Sequence, residues 1–187
     1  MDDEIATLSA RYGAPLLVTE SLPSGVFSPL SSPRAGEVAM VVLRKSGKIL
    51  LNTKDFYPDG AFRIPTGGIK KGESVETALL RETKEEINLD VEVVRFIAVI
   101  TYHAPERPEA FRTYAFLLRE VSGELRVNDP EERISGWQEV EAGDLKGVAE
   151  RLAGLDGEWR GWGVFRSVVH RVVGELLFRI SDFGLRI

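Results

Sequence analysis

Residues 162 to 180 read as one long helix. Phe165, Val168, Val169, Val172, Val173, Leu176 and Leu177 recur in it at helical spacing and form one broad apolar face. A face that wide cannot be left in water, so it must cover something of matching size. The rest of the chain offers strands. "EVAMVVLRK" reads as a strand, and a turn at Ser46 and Gly47 leads into "KILLNTK", an expected hairpin; after the loop "DFYPDGA" comes a short strand, "FRIP". A helix spans about Ser74 to Ile87. Two β-rich segments follow, "VEVVRFIAVITY" and "AFRTYAFLLREV", separated by the turn-prone "HAPERPE". A further strand, "RISGWQEV", precedes a helix starting near Asp144. The order is mixed, with no βαβα alternation and no internal repeat. A mixed sheet with helices on both faces, an α/β/α sandwich of the α/β class, is the economical architecture.

Ahead of the main domain, residues 3 to 12 can form a short helix with Ile5, Leu8 and Tyr12 on one face, stopped by Gly13. From Ser21 to Gly36 three prolines and many serines point to a linker or lid-like loop. The expected organisation is therefore an N-terminal arm and linker (1–35), a main domain (36–153), and a C-terminal helical extension packed on it (154–187).

A chain of 187 residues, 43% hydrophobic, can bury one full core. Its formal net charge of -5 gives no basic footprint, so nucleic acid is not an expected partner. The absence of cysteine excludes disulfides, thiolate metal sites and a cysteine nucleophile. "MDDEI" is acidic where a signal peptide would be basic, and the apolar runs are too short to span a bilayer. The expectation is a cytoplasmic protein without a membrane partner.

Glu82, Glu85 and Glu86 crowd about one turn of the helix in "GGIKKGESVETALLRETKEEINL". At 100° per residue, Glu85, Ala78, Glu82 and Glu86 share one stripe, with Leu80, Thr83 and Ile87 read as lying opposite. A solvated acidic face is one reading, since like-charge neighbours cost only about 0.2–0.5 kcal/mol each. The other is a site for hard cations, for which carboxylate oxygens are the preferred ligands. Ser74 is a good N-cap, Glu73 stands where the helix start favours a carboxylate, and Asn88 suits a left-handed close.

In this stretch Gly67, Glu73, Arg81, Glu82, Glu85, Glu86 and Leu89 fall in register with the Nudix box, and the chain resembles that family over about residues 36–153. Six specific identities make a chance match roughly one in 10⁷ per register. Thr83 replaces an aliphatic residue and Asn88 the closing glycine; neither is a carboxylate. The resemblance implies a Nudix-like α/β/α fold and a metal-dependent pyrophosphatase of nucleotide metabolism. It would be a hydrolase acting on a small nucleoside diphosphate derivative with Mg²⁺ or Mn²⁺. Glu82, Glu85, Arg81 and Glu73 make up the implied catalytic set, and Gly67, through its carbonyl, with Glu82, Glu85 and Glu86 the implied metal set. Glu85 either joins the metal ligands or polarises the attacking water. Arg81 resembles an arginine that orients Glu73 or Glu85, with an ordinary surface ion pair as the alternative.

Glu131 and Glu132 are candidates for a further ligand or base, or form a solvated turn. Glu106 and Glu109 could complete the site from a mobile loop, or belong to an exposed hairpin loop. His103 could contact phosphate, His170 reads as solvated, and Trp137 reads as core. "DFG" at 182–184 lacks the other kinase motifs and is a coincidence. Two function classes compete: a hydrolase, and a binding or regulatory domain without turnover. The intact carboxylate set and short flanks favour the first. Within it, Pro105 resembles a proline of the ADP-ribose-cleaving branch, while triphosphates and dinucleoside polyphosphates are the alternatives. A homodimer is left open.

Overall fold

The computed structural model describes residues 2–26, 34 and 36–182. Strand β2 (Gly36–Leu43) explains the sheet, because Val38, Met40 and Val42 are buried on one face and Ala39 and Val41 on the other. Along one edge it runs parallel to β6 (Arg107–Gly123), in register from Gly36 with Arg112 to Leu43 with Arg119. Its other edge is shared: β4 (Thr66–Gly68) pairs antiparallel with Glu37 to Ala39, and β3 (Ile49–Lys54) meets it only at Leu43 and Ile49. Beyond β6 lie antiparallel β5 (Leu89–Ala104) and, parallel to that, edge strand β1 (Leu16–Ser21). Strand β7 (Ile134–Val140) pairs with β3 at the opposite edge.

Helices cover both faces, as the order of elements implies. On the Val38 side sit α1 (Asp2–Tyr12) and α2 (Val75–Glu82), which contribute Leu8, Val75, Ala78 and Leu79 to a core with Phe96 and Phe116. On the Ala39 side, α3 (Leu145–Ala153) and α4 (Arg160–Asp182) bury Val148, Leu152 and the broad face read from the sequence, Leu176 being only partly covered. No helix among the described residues is long and apolar enough to cross a membrane.

The structure departs from the sequence reading in several places. The expected hairpin of β2 and β3 is closed only at its turn, where Arg44 N–H donates to Lys48 O at 2.9 Å. The strands then part: β4 takes the same edge of β2 from Glu37 to Ala39, and β3 runs on beside β7. "FRIP" gives one isolated bridge, Arg63 with Asn52, and the strand comes three residues later at β4; Pro65 has no N–H to extend a ladder. Strand β1 is an addition, in a segment assigned neither to the helix nor to the linker. Of the linker, residues 27–33 and 35 lie outside the described residues, as do 183 and 184 of "DFG". "HAPERPE" is no loop: β5 and β6 run through it to a tight turn at Pro105 and Glu106, closed by pairing of Ala104 with Arg107.

His170 is corrected most sharply. It is fully buried, accepting a hydrogen bond from Ile64 N–H on Nε2 at 2.8 Å, while Nδ1 lies 2.8 Å from Arg166 O. Burial pushes its pKa down to about 3. Helical periodicity places it at the margin of the apolar face, and the strand-side backbone beneath supplies the donor that makes burial tolerable. Trp137 is partly buried against the Val38-side core.

Candidate active site

The local sequence shapes this site. Ser74 caps α2 through its hydroxyl, which accepts from Thr77 N–H at 3.1 Å. At the far end the helix widens into a π turn over Thr83–Ile87, where Thr83 donates its hydroxyl to Leu79 O at 2.7 Å. Asn88 closes it in the left-handed conformation, φ 58°. The departures of Thr83 and Asn88 from the usual box therefore both sit in this turn. Its free carbonyls are caught by the segment before β7: Asn128 N–H donates to Glu85 O at 2.9 Å and its side-chain amide to Lys84 O at 2.8 Å. That docking carries the turn Pro130–Glu132 onto the acidic stripe.

The stripe is not the face away from the core. Glu82 and Glu86 are 5% and 1% exposed, Thr83 and Ile87 are buried beside them, and it is Leu80 that faces solvent. Carboxylates can tuck under the sheet because β4 is nearly without side chains there. A Cβ on Gly67 would lie 2.0 Å from Glu82 Cδ. The solvated acidic face is thereby excluded for these two residues.

Arg81 holds the arrangement. Its Nε and Nη2 donate to the two oxygens of Glu73 at 2.7 and 2.8 Å, Nη1 to Glu82 and Glu85 at 2.8 Å each, and Nη2 also to Gly68 O at 2.9 Å. All five N–H groups are spent on the protein, so this is no ordinary surface pair. The bidentate partner holds Glu73 down at about 2. Burial instead pushes Glu82 up, against the pull of Arg81, and Glu86 up to about 8, against Arg63 and Lys54.

One oxygen each from Glu82, Glu86 and Glu132 lies within 4.8 Å of the others. Glu132 is anchored by Lys54 Nζ at 2.7 Å; burial raises its carboxyl, but Lys54, Glu86 and Arg63 together turn the net shift downward. Glu85, its side chain 32% exposed, sits at the rim rather than within that triad. Glu131 lines the same cleft but is exposed. Glu106 and Glu109 are not brought into the group: Glu106 accepts from Gly25 N–H at 3.0 Å and Glu109 lies exposed on β6. His103 is exposed at the end of β5, and Pro105 is in the hairpin turn.

Residues that the sequence did not single out complete the cleft, among them Arg63, Arg166, Phe56, Trp159 and Trp162, and the buried Asn52 reaches Glu86 from behind with Nδ2 at 3.4 Å. They come from β3, the loop after it, the short turn Gly157–Trp159 and α4. No spacing rule links those segments to the acidic helix.

The sequence family described as the NUDIX domain matches residues 33–160. The chain belongs to the Nudix family. Nudix hydrolase 5 of Arabidopsis thaliana is 31% identical over 117 residues, 59% of this chain and 38% of that protein. The NAD-capped RNA hydrolase NudC of Chromobacterium violaceum is 26% identical over 150 residues, 80% and 49%. An ADP-ribose pyrophosphatase of Methanocaldococcus jannaschii is 35% identical over 91 residues, 47% and 53%. The aligned stretch thus spans between 38% and 53% of these relatives' own length. Two solved Nudix folds align over most of the chain, each with a TM-score of 0.51. A C. elegans Ap4A hydrolase binary complex is 18% identical, covering 78% of this chain and 98% of its own. A MutT NUDIX hydrolase from Burkholderia pseudomallei is 23% identical, covering 79% and 99%. At these identities the likeness is one of fold.

Proposed function

We propose that this Nudix chain is a divalent-cation-dependent hydrolase that cleaves the diphosphate linkage of a nucleoside diphosphate joined to a second group. The observation that carries the reading is the triad formed by the buried Glu82 and Glu86 with the half-buried Glu132. Among the described residues, the three carboxylates gathered there have only Arg81 and Lys54 as bonded counter-charges, and Arg81 is shared with Glu73 and Glu85. Beside them the buried Asn52 Oδ1 has no hydrogen-bond donor among the described residues. All-oxygen donors with unmet charge fit Mg²⁺ or Mn²⁺.

Glu82, Glu86 and Glu132 would hold the cation, with the backbone of Gly67 close by and Glu85 at the rim. Bound there, it would offset the negative charge that develops on the phosphoryl oxygens. Arg81 keeps Glu82 and Glu85 pointed at the cleft and is itself fixed by Glu73, so those two act through positioning. Glu85 is accessible enough to polarise a water at the cleft mouth. Lys54 and Arg63, both lining the cleft, present positive charge to the phosphates.

ADP-ribose is the leading substrate, supported by the name of the 35% identical relative. Cleavage would give AMP and ribose 5-phosphate. Purified protein should be assayed with ADP-ribose, GDP-mannose, diadenosine tetraphosphate and triphosphates, with Mg²⁺ and with EDTA, ranked by kcat/KM. Preference for a triphosphate would reject the substrate and keep the chemistry. Cleavage that survives EDTA, or no cleavage of any member, would reject the hydrolase reading.

A further inference from the structure

The cleft encloses about 550 Å³, more than a cation and a diphosphate need, and its lining changes character away from the carboxylates. Asn52 touches Glu86 and is bridged to Arg63, whose Nε donates to Tyr57 Oη at 3.0 Å. The Tyr57 ring packs on Trp162 at 4.6 Å and meets Trp159 edge-on at 5.8 Å. Phe56 and Trp159 face each other at 6.4 Å with planes 29° apart, and Phe56 is 43% exposed. The sequence of contacts therefore runs from acid, through guanidinium, to a partly exposed aromatic wall, with Arg133 over the Phe56 ring at 4.7 Å.

Arg63 and a second arginine that lines the cleft, Arg166, have donors to spare. Arg63 is buried, yet its bonds go only to Tyr57 Oη, Ile64 O and Thr66 Oγ1, and none goes to a carboxylate. Arg166, also buried, gives Nη1 to both oxygens of Glu37 and leaves its buried Nε without a partner. The second amino group of each donates to nothing among the described residues. A buried guanidinium normally has its fork filled, and the group whose shape fills it is a carboxylate or a phosphate. A flat ring that stays partly open beside it suits the face of a nucleobase.

We propose that Arg63 and Arg166 bind a phosphate and that Phe56 and Trp159 stack the base of the same ligand, making this half of the cleft the recognition subsite for a nucleoside monophosphate moiety. The hydrolase reading is needed only to say that this moiety is half of the substrate. Arg166 lies on α4 beyond residue 160, where the family match ends, so a helix outside that segment adds one of the two guanidinium groups while Phe56, Arg63 and Trp159 come from within it.

The test is binding without turnover, by calorimetry and tryptophan fluorescence in EDTA. Wild-type protein should bind AMP with quenching, and ribose 5-phosphate more weakly and without it. Trp137→Phe should keep the quenching, since Trp137 packs on the other face of the sheet. Trp159→Ala should weaken AMP about tenfold and leave ribose 5-phosphate within twofold. Arg166→Lys, which retains a charge for Glu37, should weaken both ligands alike. If that variant unfolds, Glu37→Gln with Arg166→Gln removes the buried pair together and should show the same joint loss. AMP bound no better than ribose 5-phosphate, or unaffected by Trp159→Ala, overturns the subsite even if diphosphates are hydrolysed. Trp159-dependent AMP binding in a protein that cleaves nothing supports the subsite and sinks the hydrolase reading instead.

Discussion

Gly67→Ala is the smallest change that should separate the chemistry from the fold. The added Cβ would fall 2.0 Å from Glu82 Cδ, 2.1 Å from Cγ and 2.4 Å from Oε2. Ordinary contact requires a retreat of roughly 1.5 Å by one side or the other. The backbone of Gly67 is held in β4 opposite Val38, whereas Glu82 is a side chain that can swing, so the carboxylate moves. Moving it breaks the 2.8 Å bond to Arg81 and takes one oxygen out of the triad. Gly67 lies outside the positive-φ region, so alanine adds no backbone strain. A ligand displaced by an ångström or more costs about 100-fold in rate, with a loss of about 10- to 100-fold in metal affinity. The assay is Mn²⁺ titration by calorimetry alongside turnover, with the thermal midpoint as control. We expect both metal affinity and rate to fall while the midpoint moves by only a few degrees. Wild-type Mn²⁺ affinity in the alanine variant would refute the reasoning.

Glu86→Gln removes a carboxylate that burial already disfavours in its charged form, so its thermal midpoint should match or exceed wild type while activity falls by orders of magnitude; a fully active variant would contradict the metal assignment. His170 is held neutral by burial, with Arg63 and Arg166 adding repulsion to its protonated form, so its folded pKa of about 3 lies below the ordinary 6.5. Stability from this group is complete above pH 6.5 and drains as pH falls toward 3, at about 1.4 kcal/mol per pH unit. Urea melts at pH 6, 5 and 4 should therefore be flatter for His170→Gln than for wild type, and parallel curves would remove His170 from the account. Deleting 161–187 strips Trp162, Phe165, Val168, Val169, Val172, Val173 and Leu177 from the core. At about 1.5–3 kcal/mol each that is roughly 10–20 kcal/mol, as large as a whole domain's stability. A soluble truncated chain with a cooperative melt would show α4 to be dispensable.

What the sequence disclosed follows the range of the interactions involved. Ser74, Asn88 and the Arg81 to Glu85 pair act within a few residues of themselves, so the box helix, its caps and its carboxylates could be read directly. The apolar face of α4 was legible for the same reason. His170 and Arg166 were not, because what settles them is Ile64 N–H and Glu37, more than a hundred residues away. Four glutamates outside the box were candidates. What sorts Glu131 and Glu132 from Glu106 and Glu109 is Asn128 catching carbonyls of the π turn, and what then sets Glu132 apart from Glu131 is its bond to Lys54, events no local pattern records. Strand β1 is short and largely exposed, so it carried neither the alternation nor the apolar run of its neighbours.

The parallel pairing of β2 with β6 also sets a timetable. Gly36 waits for Arg112, and at roughly 5–20 residues per second a ribosome takes about 4–15 s to make the intervening chain. Throughout that interval "VAMVVL", apolar on both faces, has one bare edge, and its Ala39 face lacks α3 and α4. The nascent protein should therefore depend on holding chaperones until residue 123 has emerged. Arrested chains ending near residue 100 should be protease-sensitive and chaperone-bound.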